Sequence, residues 1–205
     1  MRTIPKSRNP KGANNMKKVE IYWKLPIKGS IIDIEATHYD ASQGELFTVG
    51  FLSKNGFTIF QRVDATEKAF KRWVANQYSD FAEPWFAFRK VCEEGFCNKS
   101  VSEELQLEQE SAYGALLDER LLEHYNMLSD PLFNEEVPAF WEAWKATENL
   151  FFLSKIVRHN YCCLAKEYYL KLRRVDDLKP TQIEPLLTSA AIEKKYIRPA
   201  LEIRI

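Results

Sequence analysis

From residue 19 onward the chain alternates apolar and polar positions in short runs divided by turn-forming residues, the period-two signature of strands. Residues 19–25 read as a first extended segment stopped by Pro26 and Gly29, and residues 30–37 (SIIDIEAT) as a second. Residues 46–53 (LFTVGFLS) form a third, and Asn55-Gly56 marks a tight hairpin into residues 57–63 (FTIFQRV). The pattern is that of an antiparallel meander. The period then changes: Phe70, Trp73, Val74 and Gln77 fall at helical spacing within residues 65–78, with Asp64 or Thr66 placed to cap the helix start. After Pro84, residues 85–88 make an apolar run of strand length.

The second half has the longer period of helices. Residues 103–125 carry leucines among seven carboxylates and one arginine, an acidic face interrupted by Gly114. Residues 136–147 suit a helix starting near Pro138, since proline is tolerated in a first turn. Residues 153–174 give the strongest helical stripe, Leu153, Ile156, Val157, Leu164, Tyr168 and Leu172, with Lys171, Arg173 and Arg174 at the end where the helix dipole favours cations. A short helix is predicted over 181–191. A meander, a helix, a short strand and then helices predict an α/β domain with a mixed sheet, antiparallel first and then parallel, flanked by helices. The division is a basic N-terminal arm over 1–18, one domain over 19–178 and a helical extension over 179–205.

The 205 residues suffice for one well-buried core, and no apolar run reaches membrane-spanning length, which predicts no membrane partner. Basic and acidic side chains balance at 29 each, so the net positive charge of many nucleic-acid binders is absent. The balance hides an uneven spread: Arg2, Lys6, Arg8, Lys11, Lys17 and Lys18 precede any acid, and the last 51 residues hold eleven bases against six acids. Pro5 and Pro10 break the helix that a targeting peptide would need, so the opening segment reads as a disordered arm. Cysteines at 92, 97, 162 and 163 lack zinc-ribbon spacing, and reduced thiols in a cytoplasmic protein are the expectation.

The chemistry concentrates in SIIDIEAT. Positions i and i+2 of a strand share a face, so Asp33 and Glu35 stand together while Ile32 and Ile34 point the other way. Like charges side by side cost free energy unless a cation lies between them, and paired carboxylate oxygens suit Mg²⁺ or Mn²⁺. The alternative is a solvated acidic face on an edge strand. Phosphate-binding glycine loops and a nucleophile elbow are both missing from the sequence.

With the hairpin and helix that follow, DIEAT resembles the first motif of the ribonuclease H-like DEDD exonuclease superfamily, and most of all the YprB-type ribonuclease H-like domains. Residues 85–96 (WFAFRKVCEEGF) resemble the second motif: Ala87 and Phe88 match, Glu93 falls on the acidic position, Arg89 replaces the usual Asn, and Cys92 replaces an aromatic. Residues 157–164 (VRHNYCCL) resemble the third motif, [HY]-N-x-x-D, with His159 and Asn160 matching and Cys163 standing for the last aspartate. The resemblance covers most of residues 30–174.

It implies a mixed sheet with an antiparallel second strand, and 3′–5′ hydrolysis of single-stranded DNA or RNA. Asp33, Glu35 and Glu93 would hold Mg²⁺ or Mn²⁺, His159 would orient or deprotonate the attacking water, and Arg89 and Asn160 would face the nucleic acid. Cysteine is a poor ligand for a hard cation, and Glu167, one turn further on, is displaced by about 5–6 Å along the helix. A catalytically inactive nucleic-acid-binding or protein-binding module of the same fold is therefore the alternative. Convergence of the second and third motifs would also bring Cys92 or Cys97 toward Cys162 or Cys163, which leaves open a zinc site with His159 or a disulfide beside the reading of four buried thiols. Of the tryptophans, Trp85 and Trp141 read as core, while Trp23 and Trp144 are candidates for stacking on bases.

Overall fold

The computed structural model describes residues 15–22, 24–105, 130–132, 136–179 and 181–182. Strands β1 (Met16–Tyr22), β2 (Ser30–Ala36), β3 (Leu46–Ser53) and β4 (Gly56–Arg62) are followed by helix α1 (Glu67–Ala75), strand β5 (Trp85–Ala87), helix α2 (Lys90–Cys97), the two-residue strand β6 (Glu103–Glu104), and helices α3 (Val137–Thr147) and α4 (Leu150–Arg174). The six strands form one sheet in the order β1-β4-β3-β2-β5-β6. β2, β3, β4 and β1 pair antiparallel in succession, whereas β5 joins β2, and β6 joins β5, in parallel. This is the predicted α/β mixed sheet, antiparallel first and then parallel and flanked by helices, with β3 running against β2; its first strand, predicted over 19–25, runs over Met16–Tyr22.

Local chemistry explains the elements. Thr66, not Asp64, caps α1 by accepting from the Ala69 amide, and Asn149 caps α4 by accepting from the Phe151 amide. In the β3–β4 hairpin Ser53 pairs with Gly56, so Lys54 and Asn55 make the turn and Gly56 follows it at φ 108°. The sequence placed Lys17 and Lys18 in a disordered arm. They lie instead in β1 and pair with Gln61 and Phe60 of β4; Lys18 bonds Glu20 across one strand period and lies over the Phe60 ring. Lysines suit an edge strand because their charge resists further strand pairing. Glu103 and Glu104, predicted as helix, extend the sheet beside β5. Residues 1–14, most of the acidic 103–125 segment, Trp23 and all but the first two residues of the predicted 181–191 helix fall outside the described residues.

Two apolar layers sandwich the sheet. On one face Ile32, Val49, Phe51 and Phe60 meet Phe70 and Val74 of α1, Phe96 of α2, and Phe81 and Trp85. On the other, Ile31, Leu52, Phe57 and Ile59 meet Val157, Tyr161, Leu164 and Tyr168 of α4. The register shifts between Glu35 and Ala36, which pair with Thr48 and Leu46, so Phe47 has no opposite residue. It stacks on Trp141 at 4.8 Å and joins Leu153 and Ile156 in a third cluster that ties α3 and α4 to the sheet end. Trp144 also belongs to that cluster, is 7% exposed, and donates its indole N–H to the Val63 carbonyl, so it is a core residue and not a base-stacking one. No helix among the described residues is long and apolar enough to cross a membrane.

Candidate metal centre

Cross-strand pairing sets the site. Asp33 pairs with Gly50 and Gly50 with Ile59, so these three residues form one row on the face that α4 covers. Gly50 leaves a gap in that row, and Asn160 of α4 fills it: a Cβ at position 50 would come within 2.0 Å of Asn160 Oδ1 and 2.8 Å of Leu164 Cδ1. Through that gap Asn160 Nδ2 donates to Asp33 Oδ2 at 2.7 Å and lies 3.4 Å from Glu35 Oε1. A glycine inside an apolar strand is the mark of such a close approach, and LFTVGFLS carried it.

Asp33 and Glu35 are each 8% exposed and share one face, as alternation requires. The predicted pair is therefore buried in a central strand and not a solvated edge. Burial pushes the Asp33 carboxyl up to about 8, against the pull of the Lys166 ammonium. Burial, reinforced by the charge of Asp33, holds Glu35 well above the usual carboxylate range. Glu93 arrives from the first turn of α2, beyond the carboxyl end of β5, which lies parallel to β2. It is 4% exposed, its Oε2 has no hydrogen-bond partner among the described residues, and burial followed by the charge of Asp33 raises it strongly as well. Three carboxyl groups thus sit in low dielectric, with Asp33 close enough to Glu35 and to Glu93 to disfavour ionisation of both.

His159 is 2% exposed and inward-facing. Its Nδ1 donates to Asp130 Oδ1 at 2.8 Å, and its Nε2 lies 3.9 Å from Glu35 Oε1 and 3.6 Å from Cys163 Sγ. Asp130 Oδ2 accepts from Lys166 Nζ at 2.8 Å. Burial alone would raise Asp130, but His159 and Lys166 together hold it below the usual carboxylate range. Neither Asp130 nor Lys166 was foreseen. Lys166 had a signal, since positions 159, 163 and 166 stand at i, i+4 and i+7 on one helix face; Asp130, in a loop, has no period to reveal it.

The other predicted residues separate. Arg89 is exposed at the N-cap of α2. Asn160 is 0% exposed with its amide committed to Asp33, so the nucleic-acid contact expected of it is corrected to a positioning role: a contact to a strand needs an accessible atom. All four thiols are free, with Cys97 and Cys162 in the apolar layers on opposite faces of the sheet, so the disulfide alternative fails. Cys92 donates to the Tyr39 carbonyl at 3.3 Å. Cys163 alone joins a group of metal-binding character, with Glu35 and His159.

No family model, curated protein or solved structure matches the chain.

Proposed function

We propose that the protein is a divalent-metal-dependent nuclease that hydrolyses phosphodiester bonds of single-stranded DNA or RNA from an end. One observation carries the reading: Asp33 and Glu35 are buried side by side on one face of a central strand, and Glu93, also buried, starts a helix close enough for the charge of Asp33 to act on it. Such an arrangement is unfavourable without a cation. The donor set fits a hard ion, since carboxylate oxygens suit Mg²⁺ or Mn²⁺ and one of them, Glu93 Oε2, has no partner among the described residues. The carboxyl ends of parallel strands are also where open α/β sheets bind ligands. A bound divalent ion supplies Lewis acidity and makes its water more acidic.

The chain's own groups supply the rest. Asn160 fixes the rotamer of Asp33 through the 2.7 Å hydrogen bond. His159 Nε2 is the lone pair available to take a proton from the attacking water, because Nδ1 is already bound to Asp130. The Asp130 carboxylate then stabilises the imidazolium, and Lys166 holds Asp130 in place. In this reading Arg89, exposed at the start of α2, is the phosphate contact.

A second reading is favoured by one residue. Cys163 provides sulfur where the resembling domains have an oxygen donor, which supports a binding module without hydrolysis. End-labelled single-stranded DNA and RNA incubated with Mn²⁺, Mg²⁺ or EDTA separate the two. Metal-dependent shortening from one end that disappears in Asp33→Asn is expected; intact substrate with folded protein under every condition leaves the binding module.

A further inference from the structure

The hydrolase reading leaves Cys163 without a part, yet its thiol stands against two other donors. Cys163 Sγ is 3.6 Å from His159 Nε2, which is 3.9 Å from Glu35 Oε1, and the three donor atoms all lie within 4.8 Å of one another. A tetrahedral ion with a thiolate at about 2.3 Å and an imidazole at about 2.0–2.1 Å holds sulfur and nitrogen about 3.6 Å apart. The Cys163–His159 pair, four residues apart on one helix face, already has that spacing. The matching nitrogen–oxygen separation is about 3.4 Å, within half an ångström of that between His159 and Glu35.

An independent observation points the same way. The His159 ring is oriented by a carboxylate on its far nitrogen: Asp130 accepts from Nδ1 at 2.8 Å and is itself anchored by Lys166. This leaves the Nε2 lone pair directed at Cys163 and Glu35. A carboxylate behind a histidine is the usual support of a metal-bound imidazole, because it fixes the tautomer and strengthens the donor. Glu35, His159 and Cys163 are 8%, 2% and 4% exposed, so bulk water competes little for the ion.

We propose that Glu35, His159 and Cys163 form a site for one zinc-class transition-metal ion, with the fourth position left for water or a substrate oxygen. The mixed sulfur, nitrogen and oxygen set selects against Mg²⁺ and for Zn²⁺ or Co²⁺. As the sulfur–metal bond forms, the Cys163 thiol proton and any proton on Glu35 pass to solvent, so the ligands enter as thiolate and carboxylate. The inference goes beyond the hydrolase reading and stands without it; both use Glu35 and His159, and an ion held by His159 Nε2 takes that nitrogen out of the general-base role.

Cobalt tests it optically on the untagged, metal-stripped full chain. Titration with Co²⁺ should give a thiolate-to-cobalt charge-transfer band and the intense visible bands of a tetrahedral ion. These should saturate at one ion per chain and be displaced by stoichiometric Zn²⁺ but not by excess Mg²⁺. Cys163→Ser should lose the charge-transfer band, and Cys92→Ser should keep it. His159→Gln should weaken Co²⁺ binding at least tenfold, and it carries the test if Cys163→Ser does not fold. Native protein that binds Co²⁺ without the charge-transfer band, or does not bind it, overturns the proposal, as does a band that survives in folded Cys163→Ser. A Co²⁺ site that behaves as expected in a protein without nuclease activity refutes only the earlier reading.

Discussion

Strands β2 and β3 show two different interiors on their two faces. Toward α1 the middle of the face is hydrocarbon, with Ser30 and Ser53 only at the strand ends: Phe51 stacks on Phe81 at 3.9 Å and meets Trp85 edge-on at 5.2 Å, among Ile32, Val49 and Phe60. Toward α4 the same strands, with β4, bury polar side chains in two rows, Asp33 in Asp33–Gly50–Ile59 and all three members of Glu35–Thr48–Gln61. Within the second row Thr48 donates to Gln61 Oε1 at 2.7 Å, and Gln61 Nε2 donates to the Phe47 carbonyl at 3.1 Å, so that pair is internally satisfied. Asp33 and Glu35 share one Asn160 amide and a hydrogen bond between their own carboxyl groups, which needs a proton on one of them, so the pair is satisfied only while it is not fully ionised. A satisfied buried polar pair explains itself structurally; a buried like-charge pair requires a further component.

The contrast can be broken from either side. The largest effect is expected on the apolar face, where Phe51→Ala should cost about 3–5 kcal/mol through lost burial and a residual cavity, read by urea denaturation. A cost below about 1 kcal/mol would mean that the layer is not close-packed around Phe51. On the opposite face Gly50→Ala should cost about 1–3 kcal/mol, because the new methyl displaces Asn160 and Leu164. The same variant should lose metal affinity along with stability, and unchanged affinity would dissociate Asn160 from the positioning of Asp33.

The third effect is a slope in pH and sharpens the comparison. In EDTA, folded Asp33 keeps its proton up to about 8, whereas the unfolded chain releases it near 3.8. Over that window the native state binds more protons, so its stability should fall as pH rises, with Asp33 contributing at most about 1.4 kcal/mol per pH unit up to about 8 and the raised Glu35 and Glu93 adding to the fall. Asp33→Asn should lessen the slope without abolishing it. Saturating metal should flatten it too, by replacing the proton with a cation. Stability that rises between pH 5 and 8 in wild type alone would contradict desolvation as the dominant influence on Asp33.

Much of this was legible in the chain. Period-two runs gave β2 and β3 nearly to the residue, and i, i+2 spacing placed Asp33 and Glu35 on one face. The motif resemblance brought Glu93 and His159 into consideration, and both are buried with charge or contact links to the pair on β2. The failures have physical causes. Asn160 reads as a ligand-facing polar residue because one-dimensional pattern cannot show that Gly50, 110 residues earlier, opens a gap for it. Residues 103–104 carry helix-compatible glutamates, but the exposed edge of β5 offered backbone partners that outweigh local propensity. Asp130 acts from a loop, where position follows from tertiary contacts alone.

The 25-residue length of α4 has a consequence for how such a centre can change. His159, Asn160, Cys163 and Lys166 ride on one rod, so their mutual placement is fixed by helix pitch and is not adjustable by neighbouring loops. One inserted residue would swing half of the set about 100° around the axis. The centre can therefore be retuned by exchanging side chains at fixed positions, sulfur for oxygen at 163 for instance, while changes of length are closed to it.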